Sequence, residues 1–423
     1  MSLRNRELLN LLVVGALTAA GFASVYIARQ DVISSESLSY GAFFLALYLL
    51  AHVATRFTVP DADPYLLPLA GLLTALGVIE IYRLDPGDAF RQGLWIVIAL
   101  GLFTATLILL RRDYRRIENY KYLFGLGAIF LLVLPAVPGI GATVNGARLW
   151  VRVGSLQFQP GEIAKILLIV FLAGYLREKR EVLAQGRLKD FGPLLLIWGA
   201  AMLVLVQTND LGSALLYYGI FLSMLYVATG RALFAGLGLL LFVGGAAGAY
   251  HYVEHVRDRT TCWFHPWSNA QDECYQVTQS LYSIANGGLS GTTLGKGTFT
   301  GTGGTPLIPF LNTDVIYSAL AQELGLIGAA ALILVYMVFA LRGYRTSLLA
   351  DDGFSKLLAA GLTFGFVLQT FIIVGGVLRV IPLTGITFPF VSYGGSSVVA
   401  NFILLAGLLL VSDRANADRI RSA

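Results

Sequence analysis

The feature that most restricts the fold is the spacing of apolar residues. They fall in blocks of about 20 separated by polar segments, and about 20 residues is the length a helix needs to cross the hydrocarbon core of a bilayer. Twelve such blocks can be drawn, at 8–28, 38–55, 64–82, 92–110, 122–138, 160–176, 192–207, 211–229, 232–253, 314–341, 357–377 and 388–411. Within lipid every backbone polar group must find its partner inside the protein, which for blocks of this length means helix. Composition agrees, since 56% of the 423 residues are hydrophobic, 13% are charged and the mean hydropathy is +0.72; soluble domains carry roughly 25% charged residues. The expectation is an all-α polytopic membrane protein with about 12 transmembrane helices, no appended soluble domain and no short-period repeat.

Lys and Arg set its orientation. Arg4 and Arg6 precede the first block, but that block is long and Ala23-Ser24-Val25-Tyr26-Ile27-Ala28 is a weak cleavage site, so it reads as an uncleaved first span. With an even number of spans and both termini inside, the inner segments hold 20 of the 30 Lys and Arg, the outer segments hold 9, and Lys165 lies within a span. The positive-inside rule therefore places both termini in the cytoplasm. The net charge of +5 reflects this bias and an affinity for anionic lipid headgroups. No basic stretch interleaved with aromatics points to nucleic acid.

Two outer segments are long, 138–159 and 254–313, and long ordered loops usually carry function; a mobile connector fits only the Gly-rich stretch from Gly287 to Gly304. Cys262 and Cys274, the only cysteines, lie in the second segment. On an oxidising face they are candidates for a disulfide that would stabilise the loop by roughly 3 kcal/mol, with free thiols as the alternative. His52, His251, His255 and His265 lack the spacing of metal ligands, and His251 with His255 reads as an interfacial polar pair. Gly291-Thr292-Thr293-Leu294-Gly295-Lys296-Gly297 fails the phosphate-loop pattern at positions 290 and 297.

Ionisable residues at membrane depth are the more specific signal, because a charge there must be paired, solvated or working. Asp314 stands where a polar Gly-rich segment turns into the tenth block. Glu162 and Lys165 are three apart and share a helix face, either as a functional pair or as an ion pair that only locks helices together. Asp210 reads equally as a site residue and as a helix N-cap. Glu323 reads as a helix-to-helix partner. The last outer turn, Arg379 to Ser397, contains Pro382, Pro389 and the run Ser392-Tyr393-Gly394-Gly395-Ser396. Its exposed amides and hydroxyls suit anionic oxygens, and tight packing at a kink is the alternative.

These residues resemble the SEDS family (shape, elongation, division and sporulation), which includes the RodA and FtsW branches. The resemblance runs over about 64–412. It is carried by Asn145-Gly146-Ala147-Arg148 with Phe158 through Lys165, by Asp210-Leu211-Gly212, by Tyr275-Gln276 with Gln279-Ser280, by Thr313-Asp314 with Glu323-Leu324-Gly325, and by Pro382 through Ser397. The stretch from Val374 to Gly385 is more similar to the elongation branch. Departures are Gly161, Gln322, Asn312 and Val374, none of them at Asp314. The family has a ten-helix core, so 1–63 would add two N-terminal helices and 413–423 a cytoplasmic tail.

The resemblance implies a peptidoglycan glycosyltransferase in the bacterial cytoplasmic membrane, with its site facing outside. Its substrate would be lipid II, which is both donor and acceptor, and its leaving group undecaprenyl diphosphate. A class B penicillin-binding protein and other elongation or division proteins would be partners. Such chemistry requires a base, for which Asp314 is the candidate, and positive charge for the diphosphate. Arg148, Arg152, Lys165, Lys296 and Arg379 are the outer or cavity cations, with Arg148 and Lys165 indicated most directly by the family. Glu162, Asp210, Gln276, Gln279 and the 392–396 run complete the expected substrate-binding set. A divalent cation, Mg or Mn, is admitted with Asp314 or Asp210 as ligand, although no closed metal cage is readable. The alternative function is a flippase or transporter of a lipid-linked precursor; it is disfavoured because the polar residues crowd one half of the membrane.

Overall fold

The computed structural model describes all residues except 1, 31–34, 145–146, 154–155, 186–190, 301–305 and 423. Asn145 and Gly146 of the first family motif therefore lie outside the described residues. Twelve helices occupy the twelve apolar blocks: α1 Leu3–Gln30, α2 Ser35–Thr58, α3 Leu66–Leu84, α4 Pro86–Leu110, α5 Lys121–Val133, α6 Pro160–Ala184, α7 Gly192–Gln207, α8 Leu211–Thr229, α9 Ala232–Tyr252, α12 Ile316–Leu349, α13 Gly353–Val377 and α14 Gly395–Ser422. Among the described residues ten helical segments are long and apolar enough to cross a membrane. The other two blocks are α6, whose first turns carry Glu162 and Lys165, and α7, which is 16 residues long. Two further helices, α10 Glu254–Phe264 and α11 Tyr275–Gly287, fold within the segment expected as a loop.

Local chemistry sets the helix ends. The Asp85 carboxylate accepts from the amides of Gly87 and Asp88 ahead of α4, and Pro86 takes the first position of that helix, where its missing N–H is not needed. Asp352 caps α13 in the same way, through the Ser355 amide. α8 stops at Gly230, which adopts the left-handed conformation (φ +67°) that glycine tolerates. α14 continues to Ser422, so most of the expected tail extends the last helix.

The bundle is centred on α3, α13 and α14, whose side chains are largely buried, while α9 turns nearly all of its surface outward. α4 packs along α14, α5 along α6 and α12 along α13; the α1–α2 hairpin packs on α3 and α4. One end of that hairpin is fixed by a buried polar group. Glu7 accepts from Arg4 (2.6 Å) and Thr55 (2.7 Å) and lies 2.7 Å from His52 Nδ1.

Three departures from the sequence reading shape the opposite, loop-bearing end. Residues 138–159 form an antiparallel sheet of β1 Gly141–Val144, β2 Ala147–Val153 and β3 Leu156–Phe158, pairing Gly141 with Val151 and Val151 with Phe158. α12 is not one continuous span, because it breaks at Gly325 (φ +69°, ψ −175°), a conformation open essentially to glycine alone. Third, the Gly-rich stretch beyond Gly287 is pinned to that break. The Thr292 and Thr293 amides donate to the Gln322 and Glu323 carbonyls, both at 3.0 Å, and the Leu326 and Ile327 amides donate to Gly288 and Leu289. Irregular backbone at this depth survives because protein backbone satisfies it.

Candidate active site

α10, α11, the turn before α12 and the 376–385 turn surround a cavity of about 280 Å³ at the loop end. His255, Asp258, Arg259 and Cys262 line it from α10. Their spacing of three and four places them on one helix face, so His255 belongs to this wall. Glu273 enters from just before α11, Gln276 and Val277 from its first turn, Asp314 from the turn before α12, and Arg379, Ile381, Leu383 and Gly385 from the last turn. Cys262 and Cys274 are joined in a disulfide that ties the end of α10 to the start of α11.

The polar turn 310–314 presents Asp314 just ahead of α12, where its amide donates to the Phe310 carbonyl (3.1 Å). Its carboxylate faces Arg259 across Gly385. A Cβ built on that glycine (φ +72°) would lie 3.4 Å from Asp314 Oδ2 and 3.6 Å from Arg259 Nη2. Burial raises the Asp314 pKa to about 6, against the opposing pull of a Thr313 hydrogen bond and the Arg259 charge. Burial also lowers Arg259, while Asp314 and Asp210 act to keep it charged. Asp210 caps α8 by accepting from the Ser213 amide (3.0 Å). Burial raises its pKa, and it feels both Glu162 and Arg259, so it stands between the cavity and the membrane-depth pair.

Glu162 and Lys165 do pair, at 2.9 Å, inside a closed network. The Lys165 ammonium also donates to Gln369 Oε1 (2.7 Å), whose amide donates to the Thr387 carbonyl (2.8 Å). The Thr387 hydroxyl returns to Glu162 at 3.1 Å and meets the Ser397 hydroxyl at 2.7 Å. α6, α13 and the start of α14 are thereby held by one polar circuit in which each charged partner is compensated.

The remaining expected site residues divide clearly. Gln276 lines the cavity and donates to the Pro309 carbonyl (2.9 Å). Arg379 also lines it, with φ +59°, and its guanidinium donates to the carbonyls of Trp263 (2.9 Å from Nε) and Phe264 (3.3 Å) at the end of α10. Ser392, Tyr393, Gly394, Gly395 and Ser396 do not line it. Their polar groups join the last turn to neighbouring protein instead: the Ser392 hydroxyl donates to the Thr313 carbonyl, the Tyr393 amide to Asn312 (2.8 Å) and the Gly394 amide to Gln92 (3.1 Å), while Ser396 accepts from the Gln159 amide (2.7 Å). Gly395 is pressed against the Trp95 ring. This segment positions the Asp314 turn from behind. Gln279, Lys296 and Arg148 stand apart from the cavity; Lys296 is exposed and Arg148 donates to the Val137 carbonyl (3.2 Å). Glu323 pairs with Arg83 of α3 (3.3 Å) and also accepts from the Gly295 and Gly297 amides, so it anchors the Gly-rich loop as well as a helix.

Arg259, Gln369 and Thr387 were not singled out from sequence. For Arg259 the helical spacing of polar residues leading into Cys262 was the available signal. Among the described residues no three His, Cys, Asp or Glu side chains converge to hold a metal. Asp314 and Asp210, the cation ligands expected from sequence, therefore belong to no such group, and Arg259 faces Asp314 across Gly385.

The chain is similar to proteins already known. The family described as cell cycle protein (FtsW, RodA, SpoVE) matches residues 66–417. Peptidoglycan glycosyltransferase RodA of Mycobacterium tuberculosis is 39% identical, with 97% of this chain and 90% of that protein covered. Probable peptidoglycan glycosyltransferase FtsW of Geobacter metallireducens is 31% identical over 83% of this chain and 95% of that one. A solved chain, from work on the structural coordination of polymerization and crosslinking by a peptidoglycan synthase complex, superposes with a TM-score of 0.69 at 28% identity, covering 84% of this chain and 98% of that chain.

Proposed function

This chain belongs to the FtsW, RodA and SpoVE family, and from that membership we propose that it is a peptidoglycan glycosyltransferase that polymerises lipid II with Asp314 as general base. The protein spans the bacterial cytoplasmic membrane with both termini inside, as the 20 to 9 distribution of Lys and Arg supports. Its loop-end cavity then opens on the outer face, where lipid-linked disaccharide is available. Residues 64–412 form the catalytic membrane core and 1–63 an added helical hairpin. A class B penicillin-binding protein is the partner that cross-links the product, within an elongation or division complex.

The observation that carries this reading is the juxtaposition of a partly buried acid, Asp314, and a cation, Arg259, over a residue without a side chain, in a cavity bordered by further polar groups. An α-linked donor that gives a β-linked product calls for a single inverting displacement. Asp314 takes the proton from the 4-hydroxyl of the acceptor GlcNAc. That oxygen attacks the anomeric carbon of the donor MurNAc from the face opposite the diphosphate. The bond from that carbon to the diphosphate oxygen breaks, and undecaprenyl diphosphate leaves with the electron pair. A pKa of about 6 leaves Asp314 ionised at neutral pH yet close enough to it for efficient proton transfer. Arg259 supplies preorganised positive charge on the diphosphate side. One carboxylate suffices, because diphosphate, unlike the alcohol expelled by glycosidases, leaves without an acid. Gln276 and Arg379 border the same space and hold its walls through backbone carbonyls.

The test is the protein purified with its cognate penicillin-binding protein in nanodiscs and supplied with labelled lipid II. Glycan polymer from the wild type and none from Asp314→Ala is expected. No polymer from the intact complex, or equal polymer from the variant, would overturn the assignment.

A further inference from the structure

Resting on the reading of Asp314 as base, we infer that the Cys262–Cys274 disulfide is a positioning element of the active site, which holds Arg259 opposite Asp314. The bridge spans 12 residues, from the last turn of α10 to the residue just before α11. Cys262 lines the same cavity as Arg259 and Asp314, and Arg259 lies one turn earlier on the same face of α10. Both cysteines are buried, at 5% and 0% exposure, so the bridge is part of the wall and not an outlying staple.

What each end is fastened to gives the bridge its role. α11 belongs to the frame that carries Asp314. Ser283 donates to the Ser318 carbonyl (3.1 Å) and to Gln322 (2.7 Å) of α12, and Gln276 donates to Pro309 in the segment leading to Asp314. Among the described residues no side-chain hydrogen bond ties α10 to α11 or α12. Its packing against helices is with α9, the most exposed helix of the bundle, which it follows after the single residue Val253. Its far end is held by Arg379, whose guanidinium donates to the Trp263 and Phe264 carbonyls and whose carbonyl accepts from Trp263 Nε1 (2.9 Å). Beyond the main chain of residues 263–273, the disulfide is therefore the covalent cross-link that fixes α10 and its arginine to α11 and the Asp314 frame. Opening it with a dithiol breaks the S–S bond and forms two thiols, while the reductant is oxidised to its own disulfide. α10 is then left to its packing on α9, the Arg379 contacts and the uncrosslinked 263–273 main chain, and Arg259 loses its fixed register against Asp314. Reacting groups displaced by about 1 Å lose up to 10²-fold in rate.

The experiment uses the protein with its penicillin-binding partner in nanodiscs. It compares lipid II polymerisation by the oxidised wild type, by wild type reduced after folding and alkylated, and by Cys262→Ser/Cys274→Ser, each also in an Arg259→Ala background. The expected result is a roughly tenfold fall in kcat with KM nearly unchanged when the bridge is opened. The acid limb of the pH profile should also move upward, as is expected for Arg259→Ala. In the Arg259→Ala background, opening the bridge should change the rate by less than twofold, because the effect acts through that arginine. An unchanged kcat in protein with both thiols shown to be alkylated would overturn the inference, as would an equal fold-loss with and without Arg259. Polymer formed at the wild-type rate by oxidised Asp314→Ala would instead defeat the base assignment, whatever the bridge does.

Discussion

The carboxylate of Asp314 and the guanidinium of Arg259 oppose each other over Gly385, a residue with no side chain to keep them apart. They come from elements with little in common in the sequence, a polar turn before α12 and a short helix within the 254–313 segment. Burial and the opposing charge act on the acid in opposite senses, and burial prevails, leaving it near pH 6.

That balance fixes the direction of a pH profile. The working form of a base is the ionised one, so the rate should fall about tenfold per unit below about pH 6 and level off above it. Arg259 favours the ionised form, so Arg259→Gln should raise the Asp314 pKa and move the limb to higher pH. Initial polymerisation rates from pH 5 to 8 measure both. A limb that stays in place in Arg259→Gln would separate the two residues.

Gly385 keeps the gap between acid and cation clear. Alanine there would carry the strain of φ +72°, roughly 1 kcal/mol, and place a methyl in contact with both groups. Gly385→Ala should therefore lose more than tenfold in polymerisation while its unfolding temperature drops by only a few degrees. Paired rate and thermal unfolding measurements check this, and a large drop in unfolding temperature with a proportionate loss of rate would assign the glycine to folding alone.

The Lys165 circuit separates stability from catalysis. Lys165→Met leaves Glu162 and Gln369 without their partner in a buried site, and breaking a buried pair from one side costs about 3–5 kcal/mol. Glu162→Gln/Lys165→Met removes both charges and should recover most of the loss in a thermal unfolding assay. The family resemblance places Lys165 in the substrate-binding set, so the double variant is expected to be stable and slow. A stable double variant with wild-type polymerisation would return the pair to a purely structural role.

Much of this architecture was legible because a bilayer permits so few solutions. Twenty apolar residues must be helix, and all twelve blocks are. What escaped was set by partners distant in sequence. Gly325 looks like any membrane glycine until the 288–293 backbone is seen filling the break in α12. β2 carries the run Leu149-Trp150-Val151-Arg152-Val153, rich in strand-forming residues, but strand pairing depends on partners the sequence does not mark, so 138–159 reads from sequence as an ordered loop. Asp314 stood out by its position at a membrane boundary. Arg259 did not, because a cation in a polar loop segment is unremarkable until α10 turns it inward. The run Ser392 to Ser396 shows the converse: its amides and hydroxyls looked free for a ligand, and in the fold they are taken by Thr313, Asn312, Gln92 and Gln159.

The most direct measurement is the initial rate of lipid II polymerisation by Asp314→Asn beside the wild type, each bound to the same penicillin-binding protein. Asparagine keeps the size of the side chain and loses the base, so the rate should fall by about 10²–10⁴-fold while complex formation and thermal unfolding stay as in the wild type. A variant that folds, binds its partner and polymerises at the wild-type rate would contradict the account.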